Sequence, residues 1–480
     1  MARGAELERR GARRRAVVLA VVLAAGGVIV STRPSGAAGA SATPAETTTP
    51  HETFSVTYTV EIARPDATSA LVRWDLAGID EVKRLRLRFD PARFEDFQAS
   101  GTLERRHGEV VWTPGAPYAH LTYRASLQHR RAPGKGYDAW IGDGWMLART
   151  SALFPRSAVL FRTDVEAHPE SRARLVFRLP KGWDVVTVMP SVGPREFIVE
   201  SGGRFDHPRG WLMCGHFRRT PATVDGTSVT IAAAPNAAMT PDRVLGLLER
   251  AMPVMHALLG RVRPGLLVVT GVDPMWRGGL SGEDSFYMHG DRPLQTPDRT
   301  SPYLHELFHV IAPFRPAPDA HWVTEGLAEL YTIEIQKRVG LLDDDGYARA
   351  LRLFARYGLW GHDFTRDQRN AIHNNSAPLV LHALDRRIRH ATGGAQGLDD
   401  VVAALAREGG VVTTARFLGT VRRVTGHNFG AFFRRHVYRG ERPPLPDMRS
   451  PGAPLESREP QDSMETQPDR GEPGEPDDVP

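Results

Sequence analysis

At Thr240-Pro241-Asp242 the spacing of apolar residues changes from two to about 3.6, and that switch divides the chain into two regions of different class. Before it, short segments at 54–62, 70–74, 85–89, 121–123, 174–179 and 228–231 alternate apolar and polar side chains between Gly, Pro and Asp. Alternation of this kind predicts half-buried strands, here in an antiparallel, sandwich-like β domain over 43–240. After it, Val244, Leu247, Leu248, Ala251, Met255, Leu258 and Leu259 form one stripe of a helix, capped by Thr240 and interrupted at Pro253. The run 265–270 reads as a buried strand, and 377–390, 398–407 and 414–424 read as helices. A mainly helical domain is therefore expected over 241–440, which makes the chain multidomain α+β.

The two ends differ from this body. Six Arg and two Glu in residues 1–15 precede an apolar run at 16–30 and then small residues around Ala38-Gly39-Ala40. This order predicts a signal peptide or signal anchor over 1–42, with the bulk of the chain periplasmic or extracellular. Any membrane contact is expected only through that segment, because no second stretch is long and apolar enough to span a bilayer. Residues 441–480 hold ten Pro and eleven acids against four Arg, a composition expected to give a disordered acidic tail. The formal net charge of +5 thus leaves the body mildly basic, without the Lys and Arg runs of a nucleic-acid binder. The single cysteine, Cys214, lies in the apolar run Trp211-Leu212-Met213-Cys214 and is expected to be a buried, inert thiol. It excludes an intrachain disulfide and any thiolate cluster, so a metal would need His and carboxylate ligands.

Such ligands occur together. In Ser301-Pro302-Tyr303-Leu304-His305-Glu306-Leu307-Phe308-His309-Val310-Ile311, Ser301 is an N-cap followed by Pro at the first helical position. Leu304, Leu307, Phe308 and Ile311 make a core-facing stripe, while His305 and His309 lie one turn apart on another face, where two imidazoles converge on one cation. This is the HExxH pattern, in which the Glu handles the proton of the metal-bound water. A second helix is expected through His321-Trp322-Val323-Thr324-Glu325-Gly326-Leu327-Ala328-Glu329, with Glu325 and Glu329 one turn apart. One of the two is available as a third ligand and the other as a hydrogen-bonding support for a ligand His.

HELFH followed by WVTEGLAELY resembles the gluzincin metallopeptidases of the aminopeptidase N and thermolysin-like group, and within them the glycyl aminopeptidase family. The resemblance implies a thermolysin-like catalytic domain holding one Zn²⁺ per chain, with His305, His309 and Glu325 as ligands and Glu306 as general base. It extends through Lys181-Gly182-Trp183 and Gly278-Gly279-Leu280 to Thr425-Gly426-His427-Asn428-Phe429, without the PDZ domain common in the family. The gap between His309 and Glu325 is shorter than in aminopeptidase N, so the loop joining the helices is expected to differ. Two further departures stand out. The family's amine-holding Glu is replaced by Ser281, unless Glu283 or Asp284 substitutes, and the usual oxyanion Tyr gives way to Ile372-His373-Asn374-Asn375-Ser376. Gly279, Leu280, His373 and Asn374 are the expected substrate-binding residues, with His373 or Asn374 donating to developing charge, and Glu329 is the expected support behind a ligand. The expected function is an exported zinc peptidase acting on peptides or proteins, with aminopeptidase activity foremost. The alternatives are an endopeptidase or processing protease, and an inactive metal-binding envelope scaffold. The sequence does not fix the oligomeric state.

Overall fold

The structure, a computed structural model, describes residues 53–444 except 80–81, 116, 132–135, 162–169, 201–204 and 368. The expected signal or anchor segment, and all but the first four residues of the expected tail, lie outside the described residues. Among the described residues no helix is long and apolar enough to cross a membrane.

The N-terminal region is built from three sheets of seven, five and four strands. The largest carries Thr53–Glu61, Ser69–Ala77, Tyr118–Ser126 and Glu170–Arg178 at its centre. Pairing is antiparallel as expected, apart from Thr53–Glu61, which runs parallel to Glu170–Arg178 in a register joining Val56 to Ala173 and Tyr58 to Leu175. Alternate residues of these strands, including Val56, Tyr58, Trp74, Leu121 and Leu175, pack with Leu85, Leu87 and Trp112 of the four-stranded sheet in one core.

The five-stranded sheet is buried on both faces, which explains runs that do not alternate. In Trp211–Gly215, Leu212 and Cys214 enter the N-terminal core, whereas Trp211 and Met213 point the other way with Trp145 and Leu147 of the paired strand Trp145–Arg149. Cys214 is fully buried, and burial pushes its thiol pKa up, so it is an inert core residue.

Those outward residues meet a further sheet, formed by Arg218–Val224, Thr227–Ala233, Gly265–Gly271, Ser285–His289 and Gly279–Gly282 in that order. Leu267, Val269 and Tyr287 face Trp145 and Trp211; Leu266, Val268, Phe286 and Met288 face the helices. This sheet crosses position 240, the border expected between the domains. Residues 218–233 alternate like the strands before them, and period two is silent about which sheet a strand joins.

Helix α1 spans Pro241–Leu259, α2 Pro302–Ile311, α3 His321–Arg338, α4 Asp344–Tyr357, α5 Ala377–Ala391, α6 Leu398–Glu408 and α7 Thr414–Thr425. Two expectations for α1 need correction. Thr240 makes no side-chain cap hydrogen bond, and the helix continues through Pro253. Pro253 sits on the exposed face, so the cost of about 3 kcal/mol for an interior proline is set against the burial of Val244, Leu248, Ala251, Met255 and Leu259. The short α2–α3 connection is tied down by a strand, Phe314–Pro316, which pairs with Gly410–Val412. At the head of α3, Trp322 Nε1 donates to Thr414 Oγ1 at 3.0 Å, and the Thr414 amide donates to Asp319 at 3.0 Å.

Candidate metal centre

Helices α2 and α3 supply the centre. Ser301 caps α2 by accepting from the Leu304 amide, and Leu304, Leu307, Phe308 and Ile311 are all buried, as their spacing predicts. Phe308 stacks on Tyr331 of α3 with ring centroids 5.6 Å apart and planes 12° apart, which fixes the two helices face to face. The other faces then bring His305, His309 and Glu325 together.

The donor atoms of the three side chains lie close together, with one carboxylate oxygen of Glu325 towards each imidazole. His305 Nε2 lies 3.1 Å from His309 Nε2 and 3.3 Å from Glu325 Oε2, and His309 Nε2 lies 3.4 Å from Glu325 Oε1. A tetrahedral ion whose ligands sit ~2.0–2.1 Å away has ligand-to-ligand edges of roughly 3.3–3.4 Å. Each separation is therefore close to one edge of a zinc tetrahedron, and two imidazoles with a carboxylate are a donor set zinc takes.

Glu329 stands behind the ligands. His305 Nδ1 donates to Glu329 Oε2 at 2.8 Å, which places the ring proton on Nδ1 and turns the Nε2 lone pair towards His309 and Glu325. Without a cation, burial pushes the His305 pKa down, but the hydrogen bonds to Glu325 and Glu329 overcome this and raise it well above the ordinary range. Burial opposes ionisation of Glu325 too, yet His309 and His305 beside it hold its carboxyl well below the usual value.

Glu306 is fully buried, and neither of its oxygens has a hydrogen-bond partner among the described protein groups. Burial raises its pKa, with the charges of His305 and His309 pulling the other way. A carboxylate left bare in this way costs on the order of 1–3 kcal/mol or more unless a ligand completes it. Gly279 of the edge strand touches it: a Cβ there would lie 2.6 Å from Glu306 Oε1 and 2.7 Å from Met288 Cε.

Other residues singled out by the sequence fall into two groups. His373, in the wide turn Ile372–Ser376 before α5, is 5 % exposed with no protein partner for Nε2, and its ring stacks on His321 at 6.1 Å. Burial lowers the pKa of both His321 and His373, while the Glu325 charge raises them in part, which sets both rings near the centre. Asn374, next in that turn, is buried. Leu280, by contrast, packs into the Trp145–Trp211 core and its carbonyl accepts from Trp211 Nε1 at 3.0 Å. Glu283 and Asp284, the possible replacements for an amine-holding acid, are both paired with arginine. Arg209 binds Glu283 at 2.9 Å and lies 3.4 Å from Asp284, which Arg263 also holds.

Sequence reasoning missed Arg149. It ends a strand of the preceding region, opposite Trp211, and its Nη2 donates to the Ser281 carbonyl at 2.6 Å. Nothing local in the sequence marks it. A second group, Asp273, His289 and Asp291, is close enough to hold an ion, but Arg277 already pairs with both carboxylates and the Asp291 amide donates to His289 Nδ1 at 3.2 Å.

No family model matches the chain, and no curated protein matches it by sequence. Solved structures do match. An aminopeptidase N family protein from Idiomarina loihiensis aligns over 82 % of this chain and 77 % of its own, with TM-score 0.64 and 14 % identity. An M1 zinc metallopeptidase from Deinococcus radiodurans aligns over 84 % of this chain and 96 % of its own, with TM-score 0.55 and 17 % identity. A variant of the Deinococcus enzyme bound to a Tyr-Ser-Ala substrate gives TM-score 0.55 at 16 % identity, over 82 % of this chain and 96 % of its own. The chain therefore has the gluzincin aminopeptidase-like fold of the M1 zinc metallopeptidases, a sheet-rich region followed by a helical one.

Proposed function

We propose that this chain is a zinc-dependent peptidase, with His305, His309 and Glu325 holding the ion and Glu306 as general base. The observation that carries the reading is the set of 3.1–3.4 Å separations between donor atoms of His305, His309 and Glu325, beside a buried carboxylate without partners among the described groups. Three protein ligands and no cysteine suit a catalytic rather than a structural site. Zn²⁺ held there would supply Lewis-acid polarisation of a carbonyl and acidify a water molecule.

The chain's own residues do the rest. Glu306 takes the proton of the attacking water and returns it to the leaving amine; its raised pKa suits it to both steps. Glu329 keeps His305 in one tautomer and one orientation. His373 and Asn374, in the turn before α5, are the candidates to donate to the oxygen on which charge develops. Gly279–Gly282 is the last strand of its sheet, and one edge has no partner among the described strands. An extended peptide can add to such an edge, and Gly279 lets it approach Glu306. The substrate class rests on the shared fold, since the Deinococcus protein bears a tripeptide. Residues 1–42, basic and then apolar, support export of the chain.

The test is metal content measured beside digestion of a peptide library. Wild type should hold about one zinc per chain and cleave peptides; Glu306→Gln should keep the zinc and lose turnover. Hydrolysis retained by that variant would remove Glu306 from the mechanism. Zinc without turnover in the wild type would favour the scaffold reading, which the presence of Glu306 opposes because a scaffold needs no base.

A further inference from the structure

The edge strand Gly279–Gly282 does not offer all of its backbone to a peptide. The His289 amide donates to the Gly278 carbonyl at 3.1 Å, and Gly282 pairs with Ser285 across the two-residue turn Glu283-Asp284. Between those ends Gly279 lies opposite Met288, Leu280 opposite Tyr287 and Ser281 opposite Phe286. In an antiparallel ladder, pairs that exchange hydrogen bonds alternate with pairs that do not, and the second kind turn their N–H and C=O away from the partner. Gly278, Leu280 and Gly282 therefore face Ser285–His289, whereas Gly279 and Ser281 turn their groups to the free edge.

Those two positions differ. Gly279 lies against Glu306, where a Cβ would come within 2.6 Å of Oε1. At Ser281 the carbonyl is already taken, because Arg149 Nη2 donates to it at 2.6 Å. A strand added to this edge would run ~4.7–4.9 Å away and bring its own N–H to that oxygen. The guanidinium stands in its place. Arg149 ends the strand Trp145–Arg149, pairs across to Trp211 and lies over the Trp211 ring at 5.1 Å, while Trp211 Nε1 donates to the Leu280 carbonyl at 3.0 Å. A charged side chain laid on an exposed edge is a general way of ending a ladder. The stop comes from the donated hydrogen bond and the volume behind it, whatever else the guanidinium touches.

Gly279 and Ser281 are two residues apart, ~6.6–6.8 Å along the strand. A peptide paired at Gly279, with its scissile bond at Glu306, thus meets the guanidinium after about two residues on that side. Resting on the peptidase reading above, we propose that Arg149 sets the length of the substrate. It ends strand addition at Ser281, so the substrates are peptides cleaved within about two residues of one chain end. That end is selected by where backbone pairing stops rather than by an acid holding an amine, in keeping with a serine at 281 and with Glu283 and Asp284 held by arginines.

The experiment uses the full-length, zinc-loaded protein and two series of peptides built around one cleavable bond, one lengthened a residue at a time before the bond and the other after it. In one series kcat/KM should fall roughly 10- to 100-fold once the flank exceeds about two residues, the worth of one charge-assisted hydrogen bond that the peptide must displace; in the other it should stay level. Arg149→Ala should bring long and short peptides to within about threefold of each other. Arg149→Lys should keep the fall, because an ammonium can still donate to Ser281. Arg149→Met keeps an apolar stem on the Trp211 ring but donates nothing; it should match Arg149→Ala and stands in for it if that variant does not fold. A merely structural role would slow all lengths alike and leave the ratio as in wild type. A wild type that cuts long peptides internally as fast as short ones, or a fall with length that survives in Arg149→Ala and Arg149→Met, overturns the proposal. Should the wild type cleave nothing, the peptidase reading fails separately. Calorimetry of the same peptides on the zinc-loaded protein, with and without Arg149→Ala, then decides: weaker binding of the long flank that disappears without Arg149 upholds the stop, and equal or absent binding overturns it.

Discussion

Replacing Glu329 by Gln is the sharpest test of how the centre is supported. The side chain is 9 % exposed, and its carboxylate accepts the His305 Nδ1 proton at 2.8 Å without belonging to the donor set itself. Gln keeps the volume but removes the charge, and its amide can turn its NH₂ towards Nδ1, which would put the ring proton on the wrong nitrogen. Loss of such a support typically weakens metal binding ~10–100-fold, or about 1.4–2.7 kcal/mol. The same figure should appear in stability. At a fixed excess of free zinc the ligand-linked stabilisation is RT ln(1 + [L]/Kd), so the variant should lose about 1.4–2.7 kcal/mol of its zinc-dependent gain. Titration against a chromophoric chelator gives the first number, and denaturant unfolding with and without zinc gives the second. Metal-free stability should not fall in parallel, because burial raises the Glu329 pKa and makes its charge costly there. Zinc affinity within twofold of wild type would refute the orienting role.

Zinc binding should release protons. In the metal-free centre the His305 pKa is raised, so the ring binds a proton more tightly than in the unfolded chain, and the stability this gives is present below the unfolded pKa and lost as pH rises through the folded one. Zinc needs the neutral ring, so its affinity should climb with pH until His305 has titrated. Calorimetric heats should depend on buffer ionisation enthalpy, with about one proton released near pH 7; buffer-independent heats would contradict this. Gly279→Ala places a methyl 2.6 Å from Glu306 Oε1, which should cost roughly 1–3 kcal/mol of stability and lower kcat, as thermal melts and kinetics will show; no change in either would mean that the strand moves freely away. His373→Ala should lower kcat on the order of 10²–10³-fold with zinc content unchanged, the usual cost of losing an oxyanion donor. A kcat equal to wild type would assign that charge to another group.

What the sequence made legible is what helical geometry enforces. Four-residue spacing puts His305 and His309 on one face of α2 and Glu325 and Glu329 on one face of α3, and the apolar stripe of α2 sends its other face into the core; α3, buried nearly all round, carries no such stripe. The strands at 54–62 and 70–74 were legible for the same kind of reason, since a one-residue slip would bury Thr57 and Arg73 in place of Tyr58 and Trp74. Contacts between distant segments leave no such trace. Arg149 and Ser281 are 132 residues apart, and Arg209 and Glu283 are 74 apart. The continuation of α1 through Pro253 was hidden because local rules score the proline and not the core behind it.

The runs without alternation connect the two halves of the argument. Trp211–Cys214 and Leu266–Val269 are buried on both faces, so each must lie between two cores. Because of that, the sheet carrying Arg149 is clamped against the sheet carrying the edge strand, with Tyr287 and Trp211 rings 5.3 Å apart at the seam. The Tyr287 hydroxyl donates to the Trp276 carbonyl at 2.6 Å, and the Trp211 amide donates to Ser285 Oγ at 2.8 Å. A guanidinium on a loop would sample many positions; one at the end of a strand with both faces packed has few. The N-terminal region thus does more than cover the helical half: through Arg149 on the Ser281 carbonyl and Trp211 on the Leu280 carbonyl it fixes the edge strand whose Gly279 lies against Glu306.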